Sequence, residues 1–202
     1  MKSCILSDLF PAPLIKAARQ LSLNKSETLF QRDDDVDALY YIMEGELIAL
    51  RYQHDGKAVI MMRNRAGEMF APASMHMTSY PCSAVAALPS KVLQIPIPVI
   101  QEQLAHDHKF ATFYIQSLAD NLKKQCARSE RLRLKSAKER VLHYIGCESS
   151  SGTEITLTCP TSKWAEELGI EPESLYRTLA EMEKEGVIER DKRCIRIKPY
   201  KT

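Results

Sequence analysis

No stretch of this 202-residue sequence is long and apolar enough to span a bilayer, and residues 1–11 lack the basic and apolar segments of a secretion signal. A cytoplasmic protein with no membrane partner is therefore expected. Metal-binding patterns are absent as well: Cys4, Cys82, Cys126, Cys147, Cys159 and Cys194 form no C-x-x-C pair, and no adjacent histidine completes a zinc-type set. In a reducing cytosol such residues are expected as free thiols, with no metal site. There is no nucleophile elbow, no phosphate-cradling glycine loop and no H-E-x-x-H, and His106 and His108 are accompanied only by Asp107. These absences argue against an enzyme. Charge of one sign is also scarce: the formal net charge is +2, which by itself selects no partner.

What is present is an ordinary globular composition, 45% hydrophobic and 27% charged, in a length that suits one mid-sized and one small domain. The charge is unevenly placed. Residues 1–106 carry ten basic and eleven acidic side chains, 107–135 seven and three, and 136–202 eleven and twelve. The basic excess runs through Lys123, Lys124, Arg128, Arg131, Arg133, Lys135, Lys138 and Arg140. Such a run is ordinarily a solvated helix face, and it becomes a nucleic-acid footprint only if DNA passes nearby.

The same boundaries divide the chain by pattern. Up to about Pro98 it has strand character: Ala38 to Met43, Glu46 to Tyr52, Ala58 to Met62, Ser83 to Leu88 and Lys91 to Ile95 are short apolar runs separated by turn residues. Asp55-Gly56 between two such runs is a hairpin signal, because glycine accepts the positive φ of a tight turn. A sandwich or small barrel is expected. From Asp107 to Leu134 there is neither glycine nor proline, and Phe110, Tyr114, Leu118 and Leu122 recur at helical spacing. About 28 helical residues at ~1.5 Å each give ~42 Å, longer than a small domain is wide. The stripe can pack on the strands of its own chain, but pairing with the same helix of a second copy hides it along its whole length, so a homodimer interface at these four residues is favoured.

The most specific signal lies between Pro160 and Met182. Thr161 or Ser162 is placed to cap a first helix, Gly169 to end it, and Pro172 to open a second. Trp164 and Leu168 on the first, with Leu175, Leu179 and Met182 on the second, supply the apolar faces of two crossed helices. Val187 to Arg190 and Cys194 to Lys198 then read as a β-hairpin tipped by Asp191, Lys192 and Arg193. This is the pattern of a winged helix-turn-helix.

Over nearly its full length the sequence resembles the CRP/FNR family of bacterial transcription regulators. The resemblance rests on Asp37 to Leu50, on Arg65 to Phe70, on the long central helix and above all on Pro160 to Leu179. It implies an α+β protein with an N-terminal double-stranded β-helix sensor domain of the cyclic-nucleotide-binding type (1–106), a dimerisation helix (107–135) and a winged helix-turn-helix (136–202). Such a protein binds a near-palindromic operator in double-stranded DNA as a homodimer, with RNA polymerase as a further partner to consider. By position, Glu173, Ser174 and Arg177 fall where the family reads base edges, and Thr161, Ser162 and Lys163 where it contacts the backbone. The chemistry agrees: arginine can pair bidentately with guanine, a carboxylate can accept from cytosine, and hydroxyls near a helix start suit phosphates. Pro172 stands where the family often carries a basic side chain, and Tyr176 where small residues are common, so its ring either touches DNA or packs internally.

The resemblance also frames the effector. Cyclic-nucleotide-binding members carry Gly-Glu after the phenylalanine of the turn and an arginine before Ser/Thr-Ala. Here Phe70 is followed by Ala71-Pro72, and Cys82 precedes Ser83-Ala84, so an N–H donor and a cation are missing and cyclic AMP is not expected. Cys4 alone cannot hold the iron–sulfur centre of the oxygen-sensing members. Haem remains open, because the segment Ala73 to Tyr80 brings His76 to the expected pocket with Phe70, Cys82 and Ser83, and the helix-turn-helix resembles that of the nitric-oxide-responsive regulators of nitrate respiration. A redox switch at Cys82 or Cys126 is another option. The competing class is a ligand-binding module that regulates a partner protein, which would not need Pro160 to Met182.

Overall fold

The computed structural model describes residues 9–54, 56, 58–149 and 151–198, so Cys4 and Asp55 lie outside it. The chain divides into two compact units, one ending at Leu122 and the other beginning at Lys123. No helix among the described residues is long and apolar enough to cross a membrane.

The first unit begins with α1 (Ala12–Ala17) and continues through β1 (Arg19–Leu23), β2 (Thr28–Phe30), β3 (Ala38–Glu44), β4 (Glu46–Tyr52), β5 (Ala58–Arg65), β6 (Met69–Phe70), β7 (Ser83–Ala86) and β8 (Ser90–Pro96). Two antiparallel four-stranded sheets result, in the orders β1-β8-β3-β6 and β2-β7-β4-β5. The apolar runs match these strands closely, and Tyr52 pairs with Ala58 across the hairpin at Gly56. Strands β3 and β4, adjacent in sequence, lie in different sheets, as do β7 and β8. That is the winding of a jelly roll, and it turns on tight corners. At one corner Gly45 has φ +88°, and a Cβ there would stand 2.3 Å from Ser90 Oγ and 2.4 Å from the Pro89 carbonyl oxygen. The same serine accepts a hydrogen bond from the Glu46 amide and donates to the Leu88 carbonyl. Only glycine fits this close approach.

Strand β3 is buried on both faces, which explains its unbroken apolar run. Tyr40 and Ile42 face the interior between the sheets with Phe30, Phe70 and Tyr80, while Leu39 and Tyr41 face a second core with Phe10, Leu14, Leu93, Ile95 and Ile100. This outer core is covered by α1, by α2 (Ile97–His106) and by the start of α3 (His108–Arg133). Helix α2 lies where strand character ends and was not anticipated. Asp107 separates the two helices and accepts a hydrogen bond from the Phe110 amide, which fixes the start of α3.

The outer core also corrects the expected dimer stripe. Phe110 is 0% and Tyr114 3% exposed, and the Tyr114 hydroxyl donates to the Pro72 carbonyl at 2.6 Å. Both pack on their own roll, because aromatic rings at the start of the helix meet the apolar outer face of β3 and β8 before any second copy can. Leu118 and Leu122, together with Ile115, are left exposed on one helical face.

The second unit contains α4 (Ala137–Glu148), β9 (Glu154–Thr156), α5 (Thr161–Leu168), α6 (Pro172–Lys184), β10 (Ile188–Asp191) and β11 (Cys194–Ile197), with strand order β10-β11-β9. Its core surrounds Trp164, which is fully buried with Val141, Ile145, Leu168, Leu175, Leu179 and Ile188. Ser136 and Glu139 form a reciprocal capping box at the start of α4. Four carbonyl oxygens converge on Arg140: Leu134 at its Nε (3.0 Å), Leu168 and Gly169 at Nη1 (3.2 and 2.7 Å) and Leu132 at Nη2 (3.3 Å). One guanidinium thus answers the unpaired carbonyls at the ends of both α3 and α5, where a cation also meets the negative end of each helix dipole. Carboxylate pairs complete the unit. Glu154 lies 2.6 Å from Arg196, and Glu183 pairs with Arg190.

Arg140→Ala should lower stability by about 2–3 kcal/mol, and Arg140→Lys should restore little of it because an ammonium cannot fork to four oxygens. Denaturation followed by the fluorescence of Trp164, the single tryptophan, reads this unit directly. Hydrogen bonding to Ser136, Arg196 and Arg190 holds the carboxyls of Glu139, Glu154 and Glu183 below the usual range. Depressed folded-state values stabilise the fold above the ordinary carboxylate pKa, and that contribution disappears as pH falls through the lowered values. The Trp164 transition should accordingly shift to lower denaturant on acidification below about pH 5, and a midpoint unchanged down to pH 3 would contradict the assignment.

Candidate nucleic-acid interface

Helices α5 and α6 meet through small and apolar residues, with Trp164, Ala165 and Leu168 packed against Leu175, Leu179 and Met182. Gly169 makes the turn between them at φ +65°, and a Cβ there would come within 3.0 Å of Leu132. The expectation that Thr161 or Ser162 caps α5 is not met. Pro160 occupies the cap position with no side-chain hydrogen bond, so Thr161 and Ser162 are the first two helical residues. Their half-buried side chains and amides stand at the positive end of α5, where an anion is favoured. Pro172 opens α6 as expected, at a position where its missing N–H costs nothing.

Because Leu175, Thr178, Leu179 and Met182 face the core, the opposite face of α6 is fixed as outward. It presents Glu173, Tyr176, Arg177 and Ala180, all exposed, with half-buried Ser174 at its margin. Tyr176 is 51% exposed, which decides against internal packing. Lys163 is exposed on α5 and pairs with Glu166 at 2.9 Å. Such a surface pair is weak, and a phosphate can replace it.

The basic run divides: Lys123, Arg133 and Lys135 are exposed as on a solvated face, and others are not. Arg131 is 1% exposed, with its guanidinium 4.6 Å above the Tyr144 ring and 3.8 Å from Glu148. Burial lowers the pKa of Arg128, with Glu167 opposing that effect. Arg140 is spent on helix carbonyls, and Lys138 lies 2.5 Å from Glu185. Several of these cations therefore hold the end of α3 against the winged-helix core. Sequence inspection could not see this, because a buried arginine and a solvated one look alike in a charge count. Conversely, the wing tip between β10 and β11 leaves Lys192 and Arg193 exposed, with Lys192 in the left-handed conformation that closes the turn. The hairpin was legible, but the exposure of its two cations depended on the pairing of Asp191 with Cys194.

The expected effector residues do not share one environment. Phe70 is 1% exposed inside the roll, and His76 stands exposed on a short 3-10 turn (Pro72–His76), so its ring is not enclosed with Phe70. Ser83 is buried and accepts from the Arg32 amide at 3.0 Å. Cys82 is half-buried, and burial pushes its thiol pKa up against the opposing pull of Arg51, the wrong direction for a reactive thiolate. Between the sheets, Tyr80 stacks on Phe30 with ring centroids 3.7 Å apart, and its hydroxyl donates to the Ala38 carbonyl.

Known proteins share this arrangement. Residues 20–107 match the cyclic nucleotide-binding domain family and residues 139–201 the Crp-like helix-turn-helix domain family. Electron transport regulator A of Shewanella oneidensis is 24% identical over 85% of this chain and 71% of its own length. Among solved structures, a CooA variant from Carboxydothermus hydrogenoformans superposes with a TM-score of 0.81 at 17% identity, covering 96% of this chain and 90% of that one. A CRP-family transcriptional regulator from Thermus thermophilus gives 0.67 at 19% identity, covering 88% and 91%. With a cyclic-nucleotide-binding-like roll joined through a long helix to a Crp-like helix-turn-helix, the chain belongs to the CRP/FNR family and is a DNA-binding transcription regulator.

Proposed function

We propose that the chain binds a near-palindromic operator as a homodimer, reading bases with Glu173, Ser174 and Arg177 and holding the backbone with Thr161, Ser162 and Lys163. The observation that carries this reading is the outward face of α6, fixed by the burial of Leu175, Leu179 and Met182 on its other side. Arg177 is exposed there and can reach the O6 and N7 edge of a guanine, with Tyr176 beside it for a thymine methyl or a sugar. Lys192 and Arg193 at the wing tip add phosphate contacts that the helix pair alone does not offer. The second copy docks on Ile115, Leu118 and Leu122, which are 65%, 36% and 66% exposed on one face of α3. Two recognition helices then enter successive major grooves about 34–36 Å apart.

We propose that this roll does not take a cyclic nucleotide. Pro72 supplies no N–H, Cys82 supplies no cation, and Phe30, Tyr40, Phe70 and Tyr80 fill the space between the sheets. A route from the roll to α3 runs through Asn64, whose amide donates to Glu68 at 2.9 Å and to Asn121 at 3.0 Å, between the exposed Leu118 and Leu122.

Arg177→Ala should cost about 1–3 kcal/mol on the preferred operator and relax preference at one base pair per half-site, measured by binding to a panel of operator variants. An equal loss on every variant would reassign Arg177 to the backbone. Replacing Leu118 and Leu122 together by aspartate should give a folded monomer by sedimentation, with operator affinity reduced ~100-fold or more. A dimer that survives both changes would place the interface elsewhere.

A further inference from the structure

Helix α4 carries His143 and Cys147 four residues apart, hence on one face, and Glu130 reaches that face from the last turns of α3. Cys147 Sγ lies 3.7 Å from Nδ1 and 3.9 Å from Nε2 of His143, and the His143 Nε2 lies 3.4 Å from a Glu130 carboxylate oxygen. A thiol, an imidazole and a carboxylate thus stand in series. The thiol is exposed, the imidazole is 20% exposed, and the carboxylate lies at the solvent edge at 70%. The series spans the joint between the long helix and the DNA-binding unit. The next residue along each helix also crosses that joint, since buried Arg131 faces Glu148.

We infer that Cys147, His143 and Glu130 form a thiol-oxidation site that reacts with hydroperoxides. His143 accepts the thiol proton, and Glu130 orients the ring and balances the charge it gains. The sulfur attacks one peroxide oxygen, the S–O bond forms as the O–O bond breaks, and sulfur gives up two electrons. The departing oxygen takes the proton from His143 and leaves as water or an alcohol. The net change is Cys–SH plus ROOH to Cys–SOH plus ROH, a reversible state on the cysteine oxidation ladder. Cys82 and Cys194 have worse surroundings. Cys82 is half-buried, and Cys194 donates to the Glu154 carboxylate at 3.2 Å, which disfavours its thiolate. Cys126 is exposed on α3 and serves as the internal reference. This site is independent of operator reading and does not require it.

The test exposes the reduced full-length chain to hydrogen peroxide, traps sulfenic acid with dimedone and maps the adducts by peptide mass spectrometry over time. Cys147 should be labelled ~10-fold or more faster than Cys126. His143→Gln should slow Cys147 to the Cys126 rate, Glu130→Gln should slow it by a smaller factor, and Cys126→Ser should leave it unchanged. Glu130 is exposed enough that its variant keeps the fold, which Trp164 fluorescence checks. Equal labelling of Cys147 and Cys126, or an unchanged Cys147 rate in the folded His143→Gln chain, would overturn the assignment.

Discussion

The guanidinium of Arg140 sits where two helices end. Without it, the last carbonyls of the long helix and of the first helix of the helix-turn-helix would face each other with no donor between them, and Gly169 would turn beside unpaired oxygens. The planar five-donor fork suits this geometry because it reaches oxygens in different directions from a single side chain. The orientation of α5 follows from it. Through the Trp164 packing so does that of α6, and hence the direction in which Arg177 points. The outward face of α6 is consequently specified from behind, by a residue that stays with the protein's own backbone.

The strands and the helix-turn-helix were legible in the sequence because each depends on local pattern. The apolar runs from Ala38 to Ile95 and the sequence Gly169 to Pro172 carry their own turn chemistry, and the structure follows them to within three residues. What local pattern could not express was which surface an apolar stripe would meet. Phe110 and Tyr114 have the same helical spacing as Leu118 and Leu122, yet the first pair is captured by the outer face of β3 and β8 and the second is not. The cap of α5 failed for a similar reason. Pro160 already has the extended backbone the position needs, at φ −58° and ψ 150°, so the hydroxyls of the next two residues fall inside the helix.

Charge shows the same limit from the other side. The basic run suggested either solvent or DNA, yet Arg128, Arg131 and Arg140 are drawn into the joint between α3 and the winged-helix core, and Lys138 pairs with Glu185 within the winged-helix unit. Burial of Arg131 over an aromatic ring makes that joint specific, since a charge in a low-dielectric setting tolerates few alternative arrangements. On the helix-turn-helix and the wing tip, Lys163, Arg177, Lys192 and Arg193 stay exposed.

The ring stack inside the roll bears on how such a protein could be controlled. A molecule that entered between the sheets would have to displace Tyr80 from Phe30 and break its bond to Ala38. Losing a buried aromatic from its packing costs roughly 3–5 kcal/mol, equivalent to about a hundredfold to several thousandfold in apparent affinity. A ligand that met this toll would populate an otherwise rare open form, and one that did not would leave the equilibrium where it was. A ligand for the interior of the roll would therefore face a high threshold, one that weak binders would not cross.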